Sequence, residues 1–133
     1  MKALTRDLMV ICTAFTFIAI MQSAQAAFVE HEYVCEDTYM EKAYDCGSDA
    51  LIVEKNRLNK IYNRVYRTLN IKQKQQLDKE QPAWLKTLHN KCDFEYDGPI
   101  NNTVVYAQIN ANVCTAAESQ KRSKALAEKY KVK

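Results

Sequence analysis

Turn-forming residues are scarce in this chain. It has two glycines, Gly47 and Gly98, and two prolines, Pro82 and Pro99. It carries no strand-like alternation, which argues against a β-sandwich or β-barrel. Histidine is equally sparse. His31 and His89 stand in neither an H-x-x-x-H nor an H-E-x-x-H frame, so the sequence offers no zinc site and no other metal centre. No G-x-S-x-G elbow is present either. Glu95 and Asp97 read as solvated residues of a Gly-Pro loop rather than as a glycosidase pair. The expectation is a non-enzyme without cofactors.

Long apolar runs are also missing, except at the N-terminus. Lys2 and Arg6 precede an apolar stretch from Leu8 to Met21, and Ala24-Gln25-Ala26 supplies a small-residue cleavage site. Fourteen residues fall short of the ~20 that span a bilayer. Cys12 lies in this run with no lipobox before it. Residues 1–26 are therefore expected to be a signal peptide cut after Ala26, leaving residues 27–133 as a single domain. The expected location is periplasmic or secreted, with no stable membrane insertion.

Four cysteines remain after that cut: Cys35, Cys46, Cys92 and Cys114. An even set in a short exported chain reads as a disulfide framework. Of three connectivities, Cys35–Cys46 with Cys92–Cys114 is favoured, because each closes a local loop. Loops of this size contribute roughly 3 kcal/mol each in the chain-entropy model.

The remainder reads as helix. Ser48 is a plausible N-cap for a helix to about Asn70, with Leu51, Leu58, Ile61, Tyr62, Val65 and Leu69 along one face. Asp78-x-x-Gln81 resembles a capping box for a second helix through Cys92, with Pro82 in its first turn and Trp84, Leu85 and Leu88 inward. Residues 93–102 read as a loop, and Thr103 to about Tyr130 as a third helix. A short helix from Thr38 fits inside the small disulfide loop. The expected fold is all-α: a small bundle of two or three long helices plus a short N-terminal helix, stapled by two local disulfides.

Charge is uneven along the chain. Residues 27–49 hold seven Asp and Glu against Lys42 alone, whereas residues 50–92 hold ten basic and three acidic residues. Arg57, Lys60, Arg64 and Arg67 recur at helical steps. One account has the acidic segment lying over this basic face, another has a solvated face, and a third leaves one patch for an oppositely charged partner. Nucleic acid is excluded by the export signal and by a mature net charge of only +2, from seventeen basic and fifteen acidic residues.

Three surfaces are candidates for a partner. They are the acidic residues Glu36, Asp37 and Glu41; the basic face Arg57, Lys60 and Arg64; and the loop Asp93, Phe94, Glu95, Tyr96 and Asp97. Exposed aromatics among charges on a braced loop suit a protein contact. Phe94 and Tyr96 packing down onto the helices is an equal alternative. Gln81, Trp84, Arg122 and Leu126 read as structural, with Trp84 in the core and Gln81 and Arg122 in inter-helix hydrogen bonds.

Gln81-x-x-Trp84-Leu85 before Cys92, and Cys114 before Arg122-x-x-x-Leu126, resemble the LprI-like lysozyme-inhibitor family. The resemblance runs from about Cys35 to Leu126. It implies a small exported helical protein with the local disulfide pairing, and as partner a lysozyme or another exported protein. Thr87-Leu88-His89 departs from the family's aromatic residue followed by Arg-Asp, and Pro82 is unusual after the glutamine. A helical interaction module of the cell envelope, or a secreted effector, is the alternative function.

Overall fold

The computed structural model describes residues 30–132, so the expected signal peptide (residues 1–26) lies outside the described residues. Three helices make up the fold: α1 (Met40–Thr68), α2 (Ile71–Cys92) and α3 (Asn102–Tyr130). No strand occurs among the described residues, and no described helix is long and apolar enough to cross a membrane. Both local disulfides are formed, Cys35–Cys46 and Cys92–Cys114, each with its Cα atoms 5.5 Å apart.

Helix α1 begins eight residues before Ser48. The physical reason is that its buried stripe continues upstream through Ala43, Gly47 and Ala50 at steps of four and three, before Glu54, Leu58, Ile61 and Val65. Large apolar residues alone carry no signal of this small-residue extension. The helical turn expected inside the small disulfide loop is therefore the start of α1 rather than a separate element. Ser48 lies mid-helix, and Tyr39 at the N-cap position makes no side-chain cap.

Helix α2 also starts early, at a capping box built by Asn70 and Gln73. The Asn70 side chain accepts from Gln73 N (2.9 Å), and Asn70 N donates to Gln73 Oε1 (3.0 Å). Asp78 and Gln81 form no cap, and Pro82 is interior. Pro82 and Asp78 are both exposed, so water can serve the Asp78 carbonyl that proline leaves without a helical donor. Leu85, expected inward, is 49% exposed. Helix α3 starts at Asn101, whose side chain accepts from Val104 N (3.1 Å).

The long helices α1 and α3 run parallel. Gly47 meets Ile109 and Asn112, Arg57 reaches Gln120, and Leu58, Ile61, Val65 and Leu69 share a cluster with Leu126. Contacts thus advance together along both chains. Helix α2 returns antiparallel beside α3. Glu80 meets Lys129, Gln81 meets Arg122, Lys91 meets Glu118, and Cys92 bonds Cys114.

Along the α1–α3 seam the core has three parts. A large apolar cluster fills the C-terminal end and encloses Leu77 of α2, with Trp84 packed at its edge. A smaller one, Cys35, Ala43 and Ile109, fills the N-terminal end. Between them lie small or polar buried residues: Ala50, Glu54, Ala116, Ser119, Gln120 and Ser123. Ser123 Oγ donates to Ser119 O (2.9 Å) within the helix, which satisfies a hydroxyl that is otherwise costly to bury.

The helices approach closely at Gly47. A Cβ there would stand 3.4 Å from Ile109 Cγ2 and from Ile109 O. Gly47→Ala is expected to change stability by less than about 1 kcal/mol, because better helix propensity offsets these contacts. Gly47→Leu should cost about 1–3 kcal/mol or more by forcing the helices apart. Urea unfolding of the oxidised protein measures both, and equal stability of the two variants would refute a steric limit at this point.

Ion pairs tie α2 to α3. Hydrogen bonds from Lys121 and then Lys91 hold the Glu118 carboxyl below the usual carboxylate range. A bond from Gln76, and then one from Lys129, does the same for Glu80. A depressed carboxylate stabilises the fold above its unfolded pKa, and that contribution is lost as pH falls through the folded value. Below about pH 4, amides of α2 should therefore lose hydrogen-exchange protection before those of α1 and α3. Simultaneous loss in all three helices would contradict this.

Candidate functional site

The extended segment before α1 crosses the α1–α3 seam like a strap. His31 N donates to Gln120 Oε1 (2.7 Å), and Gln120 Nε2 donates back to His31 O (2.9 Å). Two residues on, the Tyr33 hydroxyl donates to Glu54 Oε1 (2.5 Å). Glu54 is fully buried, and Arg57 Nη1 lies 3.4 Å from the same oxygen. The other carboxylate oxygen, Oε2, has no hydrogen-bond partner among the described residues. Burial, and then the hydrogen bond to Glu54, push the Tyr33 phenol up to about 12, so it remains a donor at physiological pH. Glu30 pairs with Lys124 at the start of the strap, and Cys35–Cys46 fastens its end to α1.

Glu54, Tyr33 and Gln120 escaped sequence reading. The one available signal was an acidic residue at a core step of α1, between Ala50 and Leu58. Arg57, a candidate for partner binding, is half-buried against this cluster. Lys60 and Arg64 are exposed further along α1.

The strap part of the acidic segment runs along the α1–α3 seam past Arg57, with Glu30 on Lys124, whereas Glu36, Asp37 and Glu41 lie away from Lys60. Glu41 and Lys60 are separated by nineteen residues of one helix, or roughly 28 Å at 1.5 Å per residue. Glu36, Asp37 and Glu41 are all exposed around the α1 N-terminus. The Asp37 side chain accepts from Tyr39 N (2.9 Å), turning the chain into the helix. Because α1 and α3 are parallel, the loop 93–101 that leads into α3 comes to the same end of the bundle. Its Glu95 and Asp97 are exposed there.

That loop is braced from within. The Tyr96 hydroxyl donates to Pro99 O (2.9 Å) and accepts from Asn101 Nδ2 (3.3 Å). Its ring lies so close to Gly98 that a Cβ there would sit 2.6 Å from the hydroxyl oxygen. Gly98 thus leaves room for the tyrosine ring, and its φ is not positive. Tyr96 remains 47% exposed, while Phe94 is half-buried. Asp93 pairs with His89 at the end of α2. His89, Asn90, Asp93, Phe94 and Glu95 line a cleft of about 530 Å³.

A second cleft, of about 410 Å³, opens between α1 and α2, where Leu58 and Tyr62 face Trp84, Leu85 and Leu88. At its edge Arg122 donates to Gln81 Oε1 from Nε and Nη2 (3.2 and 3.1 Å) and lies 5.7 Å from the Trp84 ring centroid. Leu126 is fully buried nearby. These four residues bracket α2 against α3. Among the described residues no group of His, Cys, Asp and Glu is placed to hold a metal ion.

A family model described as "Lysozyme inhibitor LprI" matches residues 35–126. That span takes in the whole framework, from the first strap cysteine to Leu126. No curated relative and no solved structure matches the chain.

The strap generates its own test. Tyr33→Phe removes a donor from a buried carboxylate and should cost about 1–3 kcal/mol, read by urea unfolding. Hydrogen exchange should show the loss of protection centred on residues 31–35. A variant as stable as the parent would mean that the bond contributes nothing.

Proposed function

This chain belongs to the LprI lysozyme-inhibitor family, and on that premise we propose that it is an exported, non-catalytic protein that binds and occludes a lysozyme-type glycan hydrolase. The observation that carries the reading is the acidic end of the bundle. Glu36, Asp37 and Glu41 stand at the α1 N-terminus, and Glu95 and Asp97 project from the loop entering α3. Lysozymes are in general basic outside, around a cleft that holds a carboxylate pair. An acidic end attracts such a surface over several ångströms and orients the encounter.

Rigidity supports the same reading. Cys35–Cys46 anchors one acidic segment and Cys92–Cys114 the start of the other, while Tyr96 locks the loop onto Gly98. Tyr96 then supplies an aromatic anchor beside the carboxylates whose ordering cost is already met before binding. The signal-like N-terminus and the disulfides agree with action outside the cytoplasm.

The purified oxidised protein should inhibit a lysozyme at micromolar concentration or below. Inhibition should weaken as salt rises from about 0.05 to about 0.5 M, since exposed charges are then screened. The pair Glu95→Lys and Asp97→Lys should weaken it by about tenfold or more, whereas Lys60→Glu, away from the acidic end, should leave it intact. Failure to inhibit any lysozyme type at micromolar protein would overturn the proposal.

A further inference from the structure

The outward face of α1 is self-complementary. Asp45, Asp49, Ile52, Asn56 and Lys60 recur at steps of four, three, four and four, on the side opposite the stripe buried against α3. All five are exposed, and the middle of the face is apolar: Ile52 is 56% and Val53 49% exposed. Asp45 and Asp49 therefore outnumber Lys42 at one end of the stripe, Lys60 stands at the other, and two aliphatic side chains occupy the centre. Ile52 and Val53 form an adjacent aliphatic pair in the middle of an otherwise polar outward face.

The spacing has a two-fold sense. If a second α1 is laid antiparallel with Ile52 opposite Val53, Asp45 falls opposite Lys60, and Lys60 opposite Asp45. The same register puts Glu41 across from Arg64. Each charge contact is thus made twice, and the aliphatic pair closes on itself at the axis, as an isologous interface requires. A parallel pairing would set carboxylate against carboxylate. The antiparallel arrangement also sets the acidic end of one molecule beside the basic end of the other.

From this complementarity we propose that the outer face of α1 is an interaction surface for a second copy of this chain, forming an antiparallel two-fold dimer centred on Ile52 and Val53. The inference goes beyond the lysozyme reading and does not depend on it. A face from 41 to 67 is about 40 Å long and about 10 Å wide, so the dimer buries roughly 800 Å² in total. That is below the ~1,200 Å² of stable complexes. The association is accordingly weak, formed at high protein concentration and sensitive to salt.

Sedimentation velocity on the oxidised chain, over a concentration series, tests it directly. At about 0.02 M salt the weight-average mass should climb toward the dimer with concentration, and at about 0.5 M it should stay monomeric. Asp45→Lys and Lys60→Glu should each weaken self-association by at least about tenfold, with helical content and melting temperature unchanged. Mixed one to one, the two variants bring opposite charges to both contacts, so a heterodimer should form where neither variant pairs with itself. A parent chain that stays monomeric at millimolar concentration and low salt would overturn the dimer. So would single variants that associate like the parent, or a mixture that stays monomeric. Lysozyme inhibition is read in a separate assay, where Lys60→Glu should remain active, so the two proposals fail independently.

Discussion

The close parallel contact between α1 and α3 is the constraint from which the rest of the structure follows. Helices approach to small separations only where their facing side chains are small. Here Ala43, Gly47 and Ala50 of α1 make room for Ile109 and Asn112 of α3, and further along Ala116, Ser119 and Ser123 of α3 are the small residues on the buried face. Parallel neighbours cannot be joined by a tight turn. The chain must travel back first, and α2 makes that return from a capped reversal at Leu69 and Asn70. Helix α2 is correspondingly the lesser partner, with only Leu77 and Cys92 buried, a disulfide at its far end and ion pairs along its length.

A small-residue seam brings backbones together but buries little apolar surface in its middle. The strap covers this region, and a polar cluster positions it. Gln120 holds the His31 backbone in both directions, and Tyr33 satisfies one oxygen of Glu54. A buried carboxylate is weak evidence for added stability, since desolvation offsets much of what its partners return. Its physical consequence is register. Only one placement of the strap brings the phenol to the carboxylate while Cys35 meets Cys46.

Parallel packing also organises charge. The N-termini of α1 and α3 lie side by side, so their partial positive charges reinforce one another. Glu41, in the first turn of α1, is favoured there by a few tenths to about 1 kcal/mol. Arg67 and Lys129 occupy the last turns at the opposite end. The carboxylates Glu36, Asp37 and Glu41 at the start of α1 and the cations Arg64 and Arg67 near its finish thus lie toward opposite ends of the bundle. Both the lysozyme reading and the self-association of α1 draw on that polarity.

The all-α class, the cysteine pairing and the family relation were legible in the sequence, because turn-residue scarcity, helical periodicity and cysteine spacing are local properties of the chain. Helix starts were less legible. Both α1 and α2 begin seven or eight residues before the expected positions, since the expectation tracked large apolar side chains and a cap resemblance, whereas small residues and the Asn70–Gln73 box decided the boundaries. The Glu54 cluster was hidden because a carboxylate at a core step has meaning only once a tyrosine twenty-one residues away is seen to reach it. By itself, then, the sequence determined which segments are helical and which cysteines join. Tertiary structure alone decided that α1 and α3 run parallel, that Arg57 turns inward, and that two acidic segments far apart in the chain share one end. Those outcomes depend on contacts between residues distant in sequence, for which no local spacing carries a signal.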